Sequence, residues 1–69
     1  MADPRLGSRL KEIRTAAGLT QAELAERAGV SRKTINTVEN GVFIPSTLLA
    51  LTLARALSVT VEELFYLAD

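Results

Sequence analysis

Residues 20–41, TQAELAERAGVSRKTINTVENG, limit the fold most, because two helix-start signals lie close together. Thr20 and Glu23 have the spacing of a capping box, in which the hydroxyl and the carboxylate each bind a backbone N–H at the start of a helix. Gly29 favours the left-handed conformation that ends such a helix. Ser31 then offers a second N-cap. The stretch therefore predicts two short helices joined by a tight turn and crossing at a large angle.

One face of the second predicted helix carries polar side chains that suit nucleic acid. At about 100° per residue, Ile35 and Val38 share one arc and five polar residues share the other. Arg, Lys and Asn side chains hydrogen-bond base edges and phosphates. An ordinary solvated helix would account for the same residue types, but the helix-turn-helix context favours DNA. The five polar residues are Arg32, Lys33, Asn36, Thr37 and Asn40.

The same stretch resembles the phage-repressor and Cro type of helix-turn-helix, the XRE family. The resemblance runs from about Leu6 to Leu67, with Arg14 and the segments GLTQ, LA, GVS, TI and ENG in the family's register. It implies an all-α, five-helix repressor-like domain with no strand, and duplex DNA as the partner. It also implies that Gln21 holds a phosphate and that Arg14 pairs with Glu39. Two independent surface charges are the alternative to that ion pair.

The first predicted helix has two competing starts. Asp3-Pro4 is typical of an N-cap followed by proline in the first turn, but Ser8 is a competing start. Gly18 ends the helix just before the capping box. The apolar face of this helix is formed by Leu6, Leu10, Ile13 and Ala17.

Two further helices are predicted after the helix-turn-helix. Residues 42–45 form a loop because Pro45 forces the residue before it into an extended conformation. Ser46 caps a fourth helix, whose core stripe is Leu49, Leu53, Ala54 and Leu57. A second capping box, Thr60 with Glu63, starts a fifth helix that runs from Val61 to about Leu67.

Length and composition exclude several classes of protein. Sixty-nine residues predict a single domain, 1–69, with a small core. The sequence has no cysteine or histidine, so no disulfide or zinc site can stabilise it, and the usual nucleophile–base pairs of enzymes are missing. We expect neither an enzyme nor a cofactor. The leucine-rich segment 48–57 is too short to span a bilayer, which predicts a cytoplasmic protein without membrane contact.

Charge is distributed unevenly although the net charge is zero. Residues 1–33 contain seven Lys or Arg and four Asp or Glu, whereas residues 34–69 contain one and four. The positive part includes the start of the second helix of the motif, so a local field can attract DNA. We expect weak affinity for each monomer.

Seven large side chains are left over from the predicted core. A soluble monomer seldom exposes a large apolar patch, so we expect a homodimer through them, although any one, Phe43 above all, could complete the core instead. An antitoxin-like partner or a pure protein-interaction module on the same fold is an alternative function. The seven residues are Val42, Phe43, Ile44, Leu48, Leu51, Tyr66 and Leu67.

The sequence thus predicts a small transcriptional regulator that binds specific DNA sequences, acting as a homodimeric repressor. The first turn of each helix in the motif and the polar face of the second helix would contact DNA. The residues assigned to DNA are Gln21, Ser31, Arg32, Lys33, Asn36, Thr37 and Asn40.

Overall fold

The computed structural model describes residues 6–68, which form five helices and one small sheet. The helices are α1 (Leu10–Ala16), α2 (Gln21–Ala28), α3 (Arg32–Glu39), α4 (Thr47–Leu57) and α5 (Val61–Leu64). The strands β1 (Leu6–Ser8) and β2 (Phe65–Leu67) pair antiparallel and join the two ends of the described chain. The prediction of five helices is confirmed, but the prediction that the fold has no strand is wrong.

The sheet explains why α1 begins later than predicted. Leu6 lies in β1 opposite Leu67, and Gly7 lies opposite Tyr66. Pairing with β2 gives the backbone of these residues partners that the start of a helix would leave unsatisfied. Ser8 lies nearer the true start, since its hydroxyl accepts a hydrogen bond from the Leu10 N–H at 3.2 Å. The alternative start at Asp3-Pro4 lies outside the described residues.

Gly7 leaves room in β1 for an aromatic ring that covers it. A Cβ atom at Gly7 would come within 2.2 Å of the Tyr66 ring, so the exposed ring would have to turn away. The guanidinium of Arg9 lies 4.3 Å from the centroid of the same ring, in the arrangement of a cation–π contact. Tyr66 is therefore held between the β1 backbone and a cation.

Helix α5 ends at Leu64, three residues earlier than predicted. Its last carbonyl accepts a hydrogen bond from the Arg9 N–H at 2.7 Å, which ties the end of the helix to the start of α1. Phe65 and Tyr66, which follow, are aromatic residues that suit a strand better than a helix. The capping box at Thr60 therefore fixes where α5 begins, whereas the strand that starts at Phe65 fixes where it ends.

The core lies where all five helices meet. Each helix contributes one side chain that is completely buried: Leu10, Leu24, Ile35, Leu53 and Leu64. The predicted stripe of α4 is confirmed, because Leu53, Ala54 and Leu57 are buried and Leu49 packs against them while partly exposed. Within residues 6–68, no helix is both long and apolar enough to cross a membrane.

Candidate nucleic-acid interface

Local hydrogen bonds fix the start of α2 and a glycine ends it, as the sequence predicts. At the start of α2, the Glu23 N–H donates to the Thr20 hydroxyl at 3.1 Å, and the Thr20 N–H donates to the Glu23 carboxylate at 2.8 Å. This backbone N–H lowers the pKa of Glu23 below its ordinary value, with help from the Thr20 hydroxyl. Gly29 ends α2 in the left-handed conformation, with φ of 71°.

Ser31 starts α3 and is used internally. Its hydroxyl accepts a hydrogen bond from the Thr34 N–H at 3.1 Å and lies 2.9 Å from the Thr34 hydroxyl. The predicted role of Ser31 as the N-cap is therefore confirmed. Because the hydroxyl already has these partners, a contact of Ser31 with DNA would have to share them or use the backbone.

The exposed face of α3 is polar and its opposite face is buried. Ile35 and Val38 are at most 2% exposed. Thr37 is only half-exposed, and its hydroxyl donates to the Thr34 carbonyl at 3.0 Å. The structure brings three of the predicted residues together with Gln21 around one shallow polar groove. The residues that line this groove are Gln21, Arg32, Lys33 and Asn36, and Asn40 is also exposed on α3.

A buried ion pair lies directly beneath this face. Arg14 Nε donates to Glu39 Oε2 at 2.6 Å, and a second bond of 3.3 Å joins Arg14 Nη2 to Glu39 Oε1. The two side chains are only 9% and 1% exposed. Arg14 also donates to the Leu19 carbonyl at 2.8 Å. The contact of Arg14 with Glu39 thus links α1 to the end of α3 and neutralises the one carboxylate on α3.

A network of amides joins the ion pair to the polar face, and the sequence analysis missed it. Gln21 Nε2 donates to Glu39 Oε1 at 3.0 Å and to Asn36 Oδ1 at 3.1 Å. Asn40 Nδ2 donates to the same Asn36 oxygen at 3.3 Å. The Asn36–Asn40 spacing of four residues on one helix signals that contact, whereas nothing in the sequence signals the bond from Gln21, which lies on another helix.

The electrostatics of the face are positive. Arg32 and Lys33 are exposed side by side in the first turn of α3, and the Glu39 charge is compensated by Arg14. Gln21, Asn36 and Asn40 add neutral hydrogen-bonding groups. The arrangement can attract phosphates by charge and can hydrogen-bond base edges. Among residues 6–68, no group of three or more His, Cys, Asp or Glu could hold a metal ion.

The seven leftover apolar residues, here called the apolar patch, are all exposed, by 40% to 79%. An apolar groove of about 880 Å³ adjoins them, between the loop 42–46, α4, α5 and the sheet. Ile44 and Leu51 line this groove together with Leu6 and Phe65. The members of the patch are Val42, Phe43, Ile44, Leu48, Leu51, Tyr66 and Leu67.

Tyr66 does not share one surface with the rest of the apolar patch. Side chains alternate between the two faces of a strand, so Tyr66 points away from the face that carries Phe65 and Leu67. Phe65 is 8% exposed and belongs to the core, which puts Tyr66 on the outer face of the sheet with Arg9. The single seven-residue surface predicted from the sequence is thus divided by the sheet.

Comparison with known proteins gives the family. The helix-turn-helix family model HTH_3 matches residues 10–64. The uncharacterized HTH-type transcriptional regulator YgzD of Bacillus subtilis is 39% identical over 62 residues, which cover 90% of this chain and 94% of that protein.

Two solved structures are similar in both fold and sequence. The restriction-modification controller protein C.AhdI from Aeromonas hydrophila superposes with a TM-score of 0.77 at 42% identity, covering 80% of this chain and 83% of its own. The biofilm regulator SinR, solved in complex with DNA, has a TM-score of 0.74 at 31% identity, covering 78% and 87%. Both the matched residues and the similar proteins agree with the resemblance seen in the sequence. The chain belongs to the XRE-type family of helix-turn-helix transcriptional regulators.

Proposed function

We propose that this protein is a homodimeric repressor that binds a specific duplex DNA sequence and acts by occupying it. The exposed polar face of α3 carries the proposal, because it joins two cations to neutral hydrogen-bonding groups above a buried, neutralised ion pair. A helix of this kind, preceded by a tight turn, fits the major groove. The DNA complex of the similar regulator SinR supports the same partner for this chain.

The cations and the amides have different roles in this proposal. Arg32 and Lys33 approach guanine edges or phosphates, while Asn36 and Thr37 contact base edges or the neighbouring backbone. The Thr37 hydroxyl already donates to the Thr34 carbonyl, so its oxygen and its methyl group are what it offers to DNA. Phosphate contacts position the protein and base contacts give specificity.

The amide network determines which atoms of Gln21 and Asn40 remain free to bind a phosphate. Both side-chain N–H groups of Gln21 are used inside the protein, so Gln21 contacts a phosphate through the free backbone N–H groups of the first turn of α2. Asn40 uses one N–H on Asn36 and keeps the other for a phosphate. Ser31 contributes through the backbone at the start of α3, because its hydroxyl caps that helix.

Measuring duplex binding by fluorescence anisotropy over a range of salt concentrations tests the DNA proposal. The duplex is first enriched from a random library. We expect Arg32→Ala and Lys33→Ala each to weaken binding, and a residue that contacts a phosphate to lower the salt slope by about one. Lys11→Ala is the matched control, since it removes one charge from an exposed site of α1 outside the polar groove. Unchanged binding by both α3 variants at low salt would refute the proposal.

The homodimer proposal rests on the apolar patch without Tyr66 and on the groove beside it. Leu48, Leu51 and Leu67 are 76%, 56% and 79% exposed, which is unusual for leucine in a soluble chain of this size. A two-fold pairing would bury these side chains against their copies, and it would present two α3 helices to successive turns of the DNA. Two copies also double the contacts of a chain with zero net charge.

Sedimentation at micromolar concentration tests the dimer. We expect Leu51→Glu to give a folded monomer, because the side chain lies on the surface and its replacement leaves the core intact. Ala22→Glu, which adds the same charge at an exposed site of α2, is the matched control and should still dimerise. A wild-type protein that sediments as a monomer would refute this part of the proposal without affecting DNA binding by the single domain.

A further inference from the structure

The orientation of the Asn36 amide is fixed by the buried ion pair. Glu39 carries a carboxylate, which only accepts hydrogen bonds, and its Oε1 lies 3.0 Å from the Gln21 amide. Gln21 must therefore present its NH₂ group to this region. The second hydrogen of that group reaches Asn36, so the Asn36 atom that faces Gln21 at 3.1 Å must be its oxygen. The Glu39 carboxylate, which only accepts, thus determines through Gln21 which atom of Asn36 faces inward.

The Asn36 oxygen has no capacity left for DNA. A side-chain amide oxygen has two acceptor sites, and here Gln21 Nε2 and Asn40 Nδ2 occupy both. The Asn36 NH₂ group, by contrast, donates to no other residue within the described chain 6–68. Asn36 is itself exposed on the polar groove. The group that it offers to a ligand is a donor with two hydrogens.

We propose that Asn36 reads DNA as a hydrogen-bond donor only, with Gln21 as the positioning residue that fixes this polarity. The inference rests on the proposed DNA binding and adds the kind of base-edge group, a hydrogen-bond acceptor, that Asn36 binds. In the major groove guanine presents the acceptors O6 and N7, thymine presents O4, and adenine presents N7 beside its N6 donor. The common asparagine–adenine pair needs the amide to accept from N6 while it donates to N7. The occupied oxygen of Asn36 excludes that pair unless the network breaks.

Selection from a random duplex library with three proteins tests the inference. Asn36→Ala identifies the base position that Asn36 reads, as the position where the preference of the wild type falls by about tenfold. Asn36→Asp retains an oxygen for Gln21 and Asn40 but turns the outward group into an acceptor. Because every base pair contains guanine or thymine, the contacted group is identified with base analogues at this position: loss of a major-groove acceptor, N7 of a purine or O4 of thymine, should weaken wild-type binding about tenfold, whereas loss of the exocyclic amino donor should leave it unchanged. With Asn36→Asp, we expect the opposite pattern, because a carboxylate binds the amino donors of cytosine and adenine and no acceptor.

The outcomes of this selection separate the inference from the function beneath it. If the wild type selects no sequence at all, the proposed function fails. If it selects a sequence but loss of the amino donor weakens wild-type binding as much as loss of the acceptor, or if Asn36→Ala relaxes no position, the donor-only role is wrong. Asn36→Asp binding that still depends on an acceptor at this base pair also overturns it. The charge added by this substitution weakens all sequences alike and leaves relative preferences readable.

A measurement without DNA tests the network itself. In the free protein, side-chain amide exchange observed by NMR should be slow for Gln21 and fast for Asn36, since only the former has both hydrogens bonded. The double variant Gln21→Ala with Asn40→Ala frees the Asn36 oxygen, so loss of the exocyclic amino donor at the Asn36 position should now weaken its binding several-fold. Equal protection of the two wild-type amides, or a double variant that remains indifferent to the amino donor, would refute the positioning role of Gln21.

Discussion

The two ends of this small molecule carry opposite kinds of surface, one polar and hydrogen-bonded, the other apolar and exposed. Around α3, the side chains are polar and most of them bond to one another, from buried Arg14 and Glu39 through Gln21 to Asn36 at the surface. Around the sheet and α4, large apolar side chains are exposed, and among them Tyr66 is held by its contact with Arg9. The geometry of the polar end is thus determined by hydrogen bonds inside one chain, whereas the apolar end leaves apolar surface exposed to solvent.

The largest expected loss of stability comes from removing one partner of the buried ion pair beneath the polar end. Arg14→Ala leaves the Glu39 carboxylate, 1% exposed, with only the Gln21 amide as a partner. Removal of one partner from a buried pair costs about 3–5 kcal/mol, a large part of the stability of a domain this small. Glu39→Ala should cost less, because Arg14 keeps its bond to the Leu19 carbonyl and is more exposed.

Urea denaturation followed by circular dichroism measures these losses. The double variant should lose less free energy of unfolding than the two single losses together, because neither charge is then left without its partner. Simple additivity would mean that the pair contributes no coupling. The contact of the two residues was expected from the family resemblance, while its depth beneath the surface was not, since Arg14 lies at the edge of the apolar stripe in the sequence pattern.

In the apolar end, the expected effect is smaller and lies at Gly7. Gly7→Ala would place a Cβ atom 2.2 Å from the Tyr66 ring, so this exposed ring must turn away and lose its contact with Arg9, at a cost of about 1 kcal/mol. Tyr66→Ala removes the obstacle along with the Arg9 contact. We therefore expect the double variant Gly7→Ala with Tyr66→Ala to be hardly less stable than Tyr66→Ala alone. A full additional loss from Gly7→Ala in that background would contradict the proposed clash.

The same two ends show how much the sequence can predict. Hydrogen bonds between near neighbours were predictable, so the helix starts at Thr20, Ser31, Ser46 and Thr60 were all found. The sheet was not, because each strand is only three residues long and its partner is almost sixty residues away. Three residues are too few to show the alternation of a strand, so the sequence pattern assigns Leu6 to the first helix and residues 65–67 to the fifth.

The candidate site divides in the same way. The polar arc of α3 follows from helical periodicity, so most of its exposed members could be named from the sequence. Thr37 lies at the edge of that arc, and only the structure shows that it is half-buried. The bond between Gln21 and Asn36 depends on how α2 and α3 cross, which periodicity does not determine. The sequence therefore indicates which residues face DNA better than it indicates which atoms they offer.

The two capping boxes, one at each end of the molecule, should differ in how much they stabilise the fold. Thr20→Ala and Thr60→Ala each remove a side-chain cap, at a cost of about 0.5–2 kcal/mol. We expect the loss at Thr60 to be the smaller one, because the Arg9 N–H and the sheet also hold α5. Thr→Ser at each position keeps the hydroxyl and is the control. A larger loss at Thr60, measured by urea denaturation, would show that the sheet depends on the cap rather than supporting it.

The smallest expected effect is a dependence on pH at the polar end. The pKa of Glu23 is lowered in the folded protein, chiefly because the Thr20 N–H donates to its carboxylate. A carboxyl group with a lowered folded pKa stabilises the fold fully above its unfolded pKa, about 4.3, and loses this contribution as pH falls through the folded pKa. Glu23→Gln keeps an oxygen for the Thr20 N–H but does not titrate. The free energy of unfolding of the wild type, measured relative to that of Glu23→Gln, should therefore decrease on acidification through this range. A constant difference down to about pH 3 would show that the capping bond does not favour the charged carboxylate.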